Sequence, residues 1–340
     1  MRYSLVDLAA VAPRGDKRAA LDRAVASAEE AEKAGYHRIW YAEHHRTTGY
    51  ASQDPAPLIA LAAARTSRVR VGSGAVLLNH HSPFTVAERF LMLEAMAPGR
   101  VDLGLGRSSS GPLVDCALRR DRQAEPVDDF ADQVREITGY YRHDLDSAHP
   151  FHPIDLTEGI GGTPDVWVLG SSGRTAALAG RLGVGYTFGS HINAPLTEAA
   201  LDHYRRTFVP SARDPRGPRA MIALVITAAD DEDLAHRLTW PARALRAAGR
   251  IRPIPTLAEA ESELGAAEKA RPSTLTGGVV PDQISGTAES LRQQLEPFVR
   301  RIGVGEIVVQ DMLTDHELRS RSRELVAAAL ASVDVAAEFE

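Results

Sequence analysis

The chain has 340 residues, 44% apolar and 25% charged, enough for two ordinary domains or one large α/β barrel. Its 39 Lys and Arg against 45 Asp and Glu leave a formal charge of −6, which excludes the basic excess of a general nucleic-acid binder and gives no attraction to an anionic membrane. One cysteine, Cys116, rules out an intramolecular disulfide framework and any cysteine-rich metal or cluster site.

The N-terminal residues are too interrupted for a secretory signal, and apolar runs such as 58–64 and 221–226 fall far short of a bilayer span, so a cytoplasmic location is expected. Residues 3–8 read as a buried strand. Over 17–35, Ala20, Leu21, Ala24, Val25, Ala28 and Ala31 recur at helical spacing and stop at Gly35, a residue suited to ending a helix. A strand at 38–41 follows, and Asp54-Pro55 supplies a cap residue and an N1 proline for the next helix. The pattern continues with strand 69–75, helix 83–96, strand 101–105, helix 127–141, strand 166–169, helix 172–182, strand 185–188 and helix 195–208. It closes with strand 220–227, a mostly helical 230–248, strand 306–310 and helix 315–332.

Eight strands, each followed by a helix, imply parallel pairing with helices outside. The predicted fold class is α/β, a (β/α)8 TIM barrel forming one domain over 1–340, with an open sheet plus a second domain as the alternative. Residues 249–286 fall outside the rhythm, between strands seven and eight, and read as an insertion.

In such a barrel the site lies at the C-terminal ends of the strands. Ser171, Ser172 and Gly173 stand where the fifth strand hands over to a helix, and hydroxyls and free N–H groups there suit an anion such as phosphate. Arg107, after the fourth strand, offers a guanidinium fork for the same anion. The alternative is that a serine there only caps the helix. No dinucleotide fingerprint or P-loop is present: Ser109 stands where the third glycine of a G-x-G-x-x-G would be.

After the second strand come Glu43, His44 and His45. Adjacent histidines on an extended segment point opposite ways, so one can face the barrel mouth as a general acid or base, unless it is simply a hydrogen-bonded structural group. His80-His81 and the set His143, His149 and His152 have poor spacing for one tetrahedral centre, and no metal site is predicted.

Four blocks together resemble the luciferase-like flavin-dependent monooxygenases, the superfamily of bacterial luciferase: 36–45, 68–78, 86–107 and 169–179. The similarity runs over essentially the whole chain, and the nearest subgroup is the single-chain oxidoreductases of secondary metabolism. The resemblance implies a barrel holding FMN in its mouth, with the flavin phosphate at Arg107, Ser172 and Thr175 and the Ser171 backbone nearby. Gly74-Ala75 matches a position where relatives have a cis peptide beneath the flavin ring. His44 matches the catalytic histidine, with Glu43 beside it; His45 and His191 fall near the substrate.

The implied activity is that of a two-component enzyme. A separate flavin reductase supplies FMNH2, O2 gives a C4a-peroxyflavin, and one oxygen atom passes to a small organic substrate. The insertion would act as a lid, and a homodimer is implied. The alternatives are F420-dependent hydride transfer and a non-catalytic flavin-storage protein. Gly106 stands where light-emitting relatives carry a reactive cysteine, so thiol arguments do not transfer, and neither light emission nor an aldehyde pocket is implied.

Overall fold

The structure, a computed structural model, describes residues 1–334 except 120, 124, 126, 213, 250, 251 and 278. Three residues of the expected insertion, and 335–340 of the expected domain, thus lie outside the described residues. Ten strands follow in chain order: β1 (Arg2–Asp7), β2 (Arg38–Tyr41), β3 (Arg70–Ser73), β4 (Val76–Leu77), β5 (Val101–Gly106), β6 (Asp165–Gly170), β7 (Gly185–Gly189), β8 (Ala220–Ala228), β9 (Ile284–Gly286) and β10 (Glu306–Gln310). Eight of them pair in parallel in the order β1-β2-β3-β5-β6-β7-β8-β10, and β10 returns to β1, closing the expected TIM barrel. The two short strands β4 and β9 pair with β5 and β8 near the C-terminal rim.

Alternation along each strand divides the side chains. Leu5, Ile39, Val71, Leu103, Val168, Tyr186, Ile222 and Ile307 belong to one large apolar layer beneath the helices. Val6, Trp40, Trp167, Met221 and Val308 belong to a second cluster inside the barrel. Below that cluster the interior is charged. The buried Arg38 guanidinium donates to Asp102 at 2.7 Å and to Glu306 at 2.6 Å, and Arg70 donates to Asp102 at 2.7 Å. Trp40 Nε1 adds a bond to Asp102 at 2.9 Å, and the same guanidinium lies 5.0 Å from the Trp167 ring centroid. Burial alone would raise the Asp102 carboxyl, but the Arg38 and Arg70 charges and their hydrogen bonds hold it below the ordinary carboxylate range. This network and two indole rings seal the floor, leaving the C-terminal end of the barrel as the end available for chemistry.

Several boundaries differ from the sequence pattern for identifiable reasons. The single strand expected at 69–75 stops at Ser73; the Gly74–Ala75 peptide is cis, and β4 resumes beside Leu105 and Gly106. The helix expected at 127–141 is Phe130–Arg142. The stretch 230–248 divides into helices Glu232–Arg237 and Trp240–Ala247, the second opening with Pro241, whose ring cannot continue a preceding turn. The insertion carries helices Leu257–Glu263 and Ala266–Lys269 and ends in β9.

The pattern gives no sign of the helices Pro112–Leu118 and Ala288–Ile302. Pro297 lies inside the second and reads as a breaker in the bare sequence. In the fold, burial of Leu291, Leu295, Phe298, Val299 and Ile302 outweighs the lost hydrogen bond.

Candidate active site at the barrel rim

Ser172 caps the helix Gly173–Arg181, its Oγ accepting from the Thr175 N–H at 3.4 Å. Thr175 Oγ1 folds back to donate to the Ser172 carbonyl at 2.9 Å, and Tyr186 OH donates to the same oxygen at 3.2 Å. Asn193 Nδ2 donates to the Ser171 carbonyl at 3.0 Å. The turn is therefore fixed from three directions. Gly170 makes it possible, since a Cβ there would fall 2.3 Å from Thr175 Oγ1. Helix geometry leaves the first N–H groups of the helix without intrahelical acceptors.

Arg107 does not rest on Ser172 directly. Its Nη1 donates to Asp128 Oδ1 at 2.6 Å, while Arg174 Nη2, from the first turn of the same helix, donates to Asp128 Oδ2 at 2.7 Å. Hydrogen bonds from Arg107 and then Arg174 lower the exposed Asp128 carboxyl. Sequence reasoning found Arg107 and the serine turn but missed Arg174 and Asp128. Arg174 had a signal in its place two residues past the cap; Asp128, in an irregular segment 21 residues after Arg107, had none.

Glu43, His44 and His45 divide as alternation requires. His44 lies on the parity of Trp40 and Ala42, both in the interior cluster, and its ring centroid is 4.5 Å from that of Tyr50, a member of the same cluster. Its backbone N–H donates to the Ser52 carbonyl at 2.9 Å. The loop is held by a bridge between Ala10 and Tyr50 and by the bond from Ala51 N to the Ala9 carbonyl at 2.9 Å. The segment just after β1 thus helps to aim His44.

Glu43 joins two other histidines of the rim. Its buried carboxylate meets His45 Nε2 at 2.7 Å, His81 Nε2 at 3.0 Å and the Leu77 N–H at 3.0 Å. Burial would raise this carboxyl, yet the hydrogen bonds from His81 and His45, the His81 charge and the Leu77 N–H together hold it low. Glu43 is the hub tying the β2 end to the segment after β3. His80 Nε2 meets Asp115 at 3.0 Å and its ring stands edge-on to His45. Glu43, His45 and His80 place ligand-capable atoms within 4.8 Å of one another, an arrangement able to hold a divalent cation; neighbour-to-neighbour spacing hid it because the loops, not the sequence, bring the groups together.

His191 lies at the end of β7, its Nδ1 3.1 Å from the Ala223 carbonyl of β8. Gly74 and Ala75 sit between β3 and β4, and a Cβ on Gly106 would come within 3.0 Å of Ala75 Cβ, so Gly106 keeps that part of the rim open. Two cavities, about 350 and 370 Å3, open at the opposite end of the strands, around Arg142 and Arg219 and around Tyr3 and His37. Neither includes a rim residue, and the rim's chemistry marks the site better than cavity size does.

The family model described as luciferase-like monooxygenase matches residues 1–306. The chain belongs to that family. With membership comes the class of chemistry, a flavin-dependent oxidoreductase acting with molecular oxygen. A luciferase-like monooxygenase of Escherichia coli (strain K12) is 35% identical over 329 residues, covering 95% of each chain. The N-acetyl-S-alkylcysteine monooxygenase of Bacillus subtilis (strain 168) is 33% identical over 208 residues, 61% of this chain and 62% of that one. The structure of apo-MsnO8 superposes with a TM-score of 0.86 at 33% identity, covering 98% of this chain and 99% of that one.

Two more distant structures share the fold alone. One is the oxygenating constituent of 3,6-diketocamphane monooxygenase from Pseudomonas putida, in complex with FMN, at 18% identity and TM-score 0.70 over 99% and 100% of the chains. The other is the coenzyme F420 dependent tetrahydromethanopterin reductase of Methanopyrus kandleri, at 14% and 0.64 over 100% and 99%.

Proposed function

We propose that the protein is the oxygenase component of a two-component system, taking FMNH2 from a separate reductase and placing one atom of O2 on a small organic substrate. The observation that carries this reading is the meeting of Arg107 and Arg174 at the capped start of helix Gly173–Arg181, where a carboxylate anion is already seated between them. That donor set fits a phosphate: two guanidinium forks, the Ser172 and Thr175 hydroxyls and the first-turn N–H groups. When bound, the reduced flavin supplies the electrons for oxygen activation.

The remaining tasks fall to the chain. Arg107, Arg174, Ser172 and Thr175 bind the phosphate with the Ser171 backbone nearby, and Gly74 and Ala75 border the ring. His44 Nδ1 or Nε2 moves a proton in the oxygen-transfer step, while Glu43 positions the loops around it through His45 and His81. His191 and His45 border the substrate space. Leu245 and Ile254, from the segments between β8 and β9, pack in the interior cluster with Trp40 and Trp167 and exclude water, as a lid does. The absence of a nicotinamide fingerprint in the sequence supports an external reductase. Exposed Leu61, Met92 and Met96 lie on the neighbouring helices Pro55–Arg65 and Pro83–Met96, an apolar face suited to a second copy.

The test is anaerobic titration with FMNH2 and, in parallel, with reduced F420, followed by 18O2 exposure with an organic substrate panel. Tight FMNH2 binding with one labelled atom in the product is expected. Selective binding of F420 with no label would establish the hydride-transfer alternative, and flavin binding without turnover the storage one.

A further inference from the structure

Gln283 immediately precedes β9. Ile284 pairs with Ile226 of β8, and both lie in the layer beneath the helices. Alternation turns Gln283 to the other side, the side that Ala223 presents to the interior cluster. Gln283 is 2% exposed, yet among the described residues neither its Nε2 nor its Oε1 has a hydrogen-bond partner. A buried amide with both atoms unpaired is a cost that native interiors seldom carry, and it calls for a partner supplied from elsewhere.

The neighbouring side chains of the segment are engaged. Next to it Asp282 is held by Arg246 and by Arg271 at 2.5 and 3.0 Å, and Ser285 Oγ donates to Ser273 Oγ at 2.7 Å. The segment is therefore anchored on both sides of a carboxamide that is itself unengaged. The interior cluster on that side is apolar: Leu169, Ala223, Leu245, Ile254, Val308 and Met312. A single neutral donor–acceptor group in apolar surroundings fixes the orientation of a ligand and discriminates strongly against analogues that leave it unpaired.

We infer that Gln283 is a specificity-determining residue of the substrate pocket, its carboxamide hydrogen-bonding a neutral amide carried by the organic substrate. An amide offers both an N–H for Oε1 and a carbonyl for Nε2. A ketone or an ester would satisfy only Nε2, and a charged group would find no countercharge in this side chain. The inference rests on the monooxygenase reading, which makes the barrel mouth a substrate site.

The test uses Gln283→Met, which keeps the length of the side chain and removes both polar atoms. Urea unfolding of the ligand-free proteins comes first: relief of two unpaired atoms raises the midpoint, whereas a fall would show a structural role and overturn the inference. Calorimetric titration then compares N-acetyl-S-benzylcysteine with its ester analogue, in which oxygen replaces the amide N–H. The wild-type chain should bind the amide about tenfold more tightly, as one well-made hydrogen bond allows, and the variant should bind both alike. Equal affinities in the wild type, discrimination retained in the variant, or no binding of the amide each defeats the proposal. FMNH2 binding by the wild-type chain is measured alongside; its absence strikes the flavin reading instead, whatever the amide result.

Discussion

Asp128 holds Arg107 and Arg174 at once, one carboxylate oxygen to each guanidinium, at 2.6 and 2.7 Å. The two arginines come from the end of β5 and the first turn of helix Gly173–Arg181, so the carboxylate occupies the place where the charge of a phosphate would be best compensated. All three side chains are exposed, and an incoming dianion is able to replace the carboxylate with a stronger, multidentate set of bonds.

Asp128→Asn should therefore tighten FMN binding, by about threefold to fivefold since exposed ion pairs are individually weak, and leave riboflavin binding unchanged. Flavin fluorescence titration at two salt concentrations checks this. A loss of FMN affinity would mean that Asp128 aligns the arginines and does not compete for them.

Arg107→Ala should weaken FMN far more than riboflavin, on the order of tenfold or more, because only the phosphate ester uses the guanidinium. Equal losses for both ligands would remove Arg107 from the phosphate site.

His44→Ala should retain flavin affinity and lose product formation by on the order of 10² to 10⁴, the usual contribution of a positioned proton donor or acceptor. The measurement is oxygenated product per FMNH2 consumed. Full coupling in the variant would transfer the proton step to another group.

Asp7 sets an acid limit to stability. Burial alone would raise its carboxyl, but the charges of Arg319 and Arg323 and the Ala9 N–H bring it from 3.8 down to about 2. A depressed folded value stabilises above the unfolded one, so a contribution of about 2 kcal/mol is present above pH 4 and disappears as pH falls through 2. Arg323 also bonds Asp311 at 2.7 Å, linking β1 and the segment after β10 to helix His316–Ala331. Urea midpoints measured from pH 5 to pH 2 should fall steeply for the wild type and less steeply for Asp7→Asn, which is itself destabilised by about 3 kcal/mol because a buried arginine loses its partner.

On the proposed pairing of two copies, Met92→Glu should lower the sedimenting mass to that of a monomer, since it places a charge among the exposed Leu61, Met92 and Met96. An unchanged mass would put any self-association elsewhere.

The barrel was legible in the sequence because its information is local. Periods of two and 3.6 residues, the Asp54-Pro55 start and the Gly35 stop appear within short windows, and eight repeats of one unit leave few ways to bury the strands. The capped turn at Ser172 was legible for the same reason: a strand end, a cap serine and a helix start are contiguous. Parity likewise foretold that His44 and His45 would part company.

Only tertiary packing decided the rest. Helix Ala288–Ile302 keeps Pro297 because its apolar stripe is buried, a gain that the sequence does not price. Glu43 became a hub for His45 and His81 because the rim loops converge, and Asp128 met both arginines across an irregular segment. Gln283 looked like any polar loop residue until β9 aligned with β8 and buried its carboxamide without a partner. Hydrogen-bond partnership and burial depend on distances through space between segments far apart in the chain, and no local pattern encodes them.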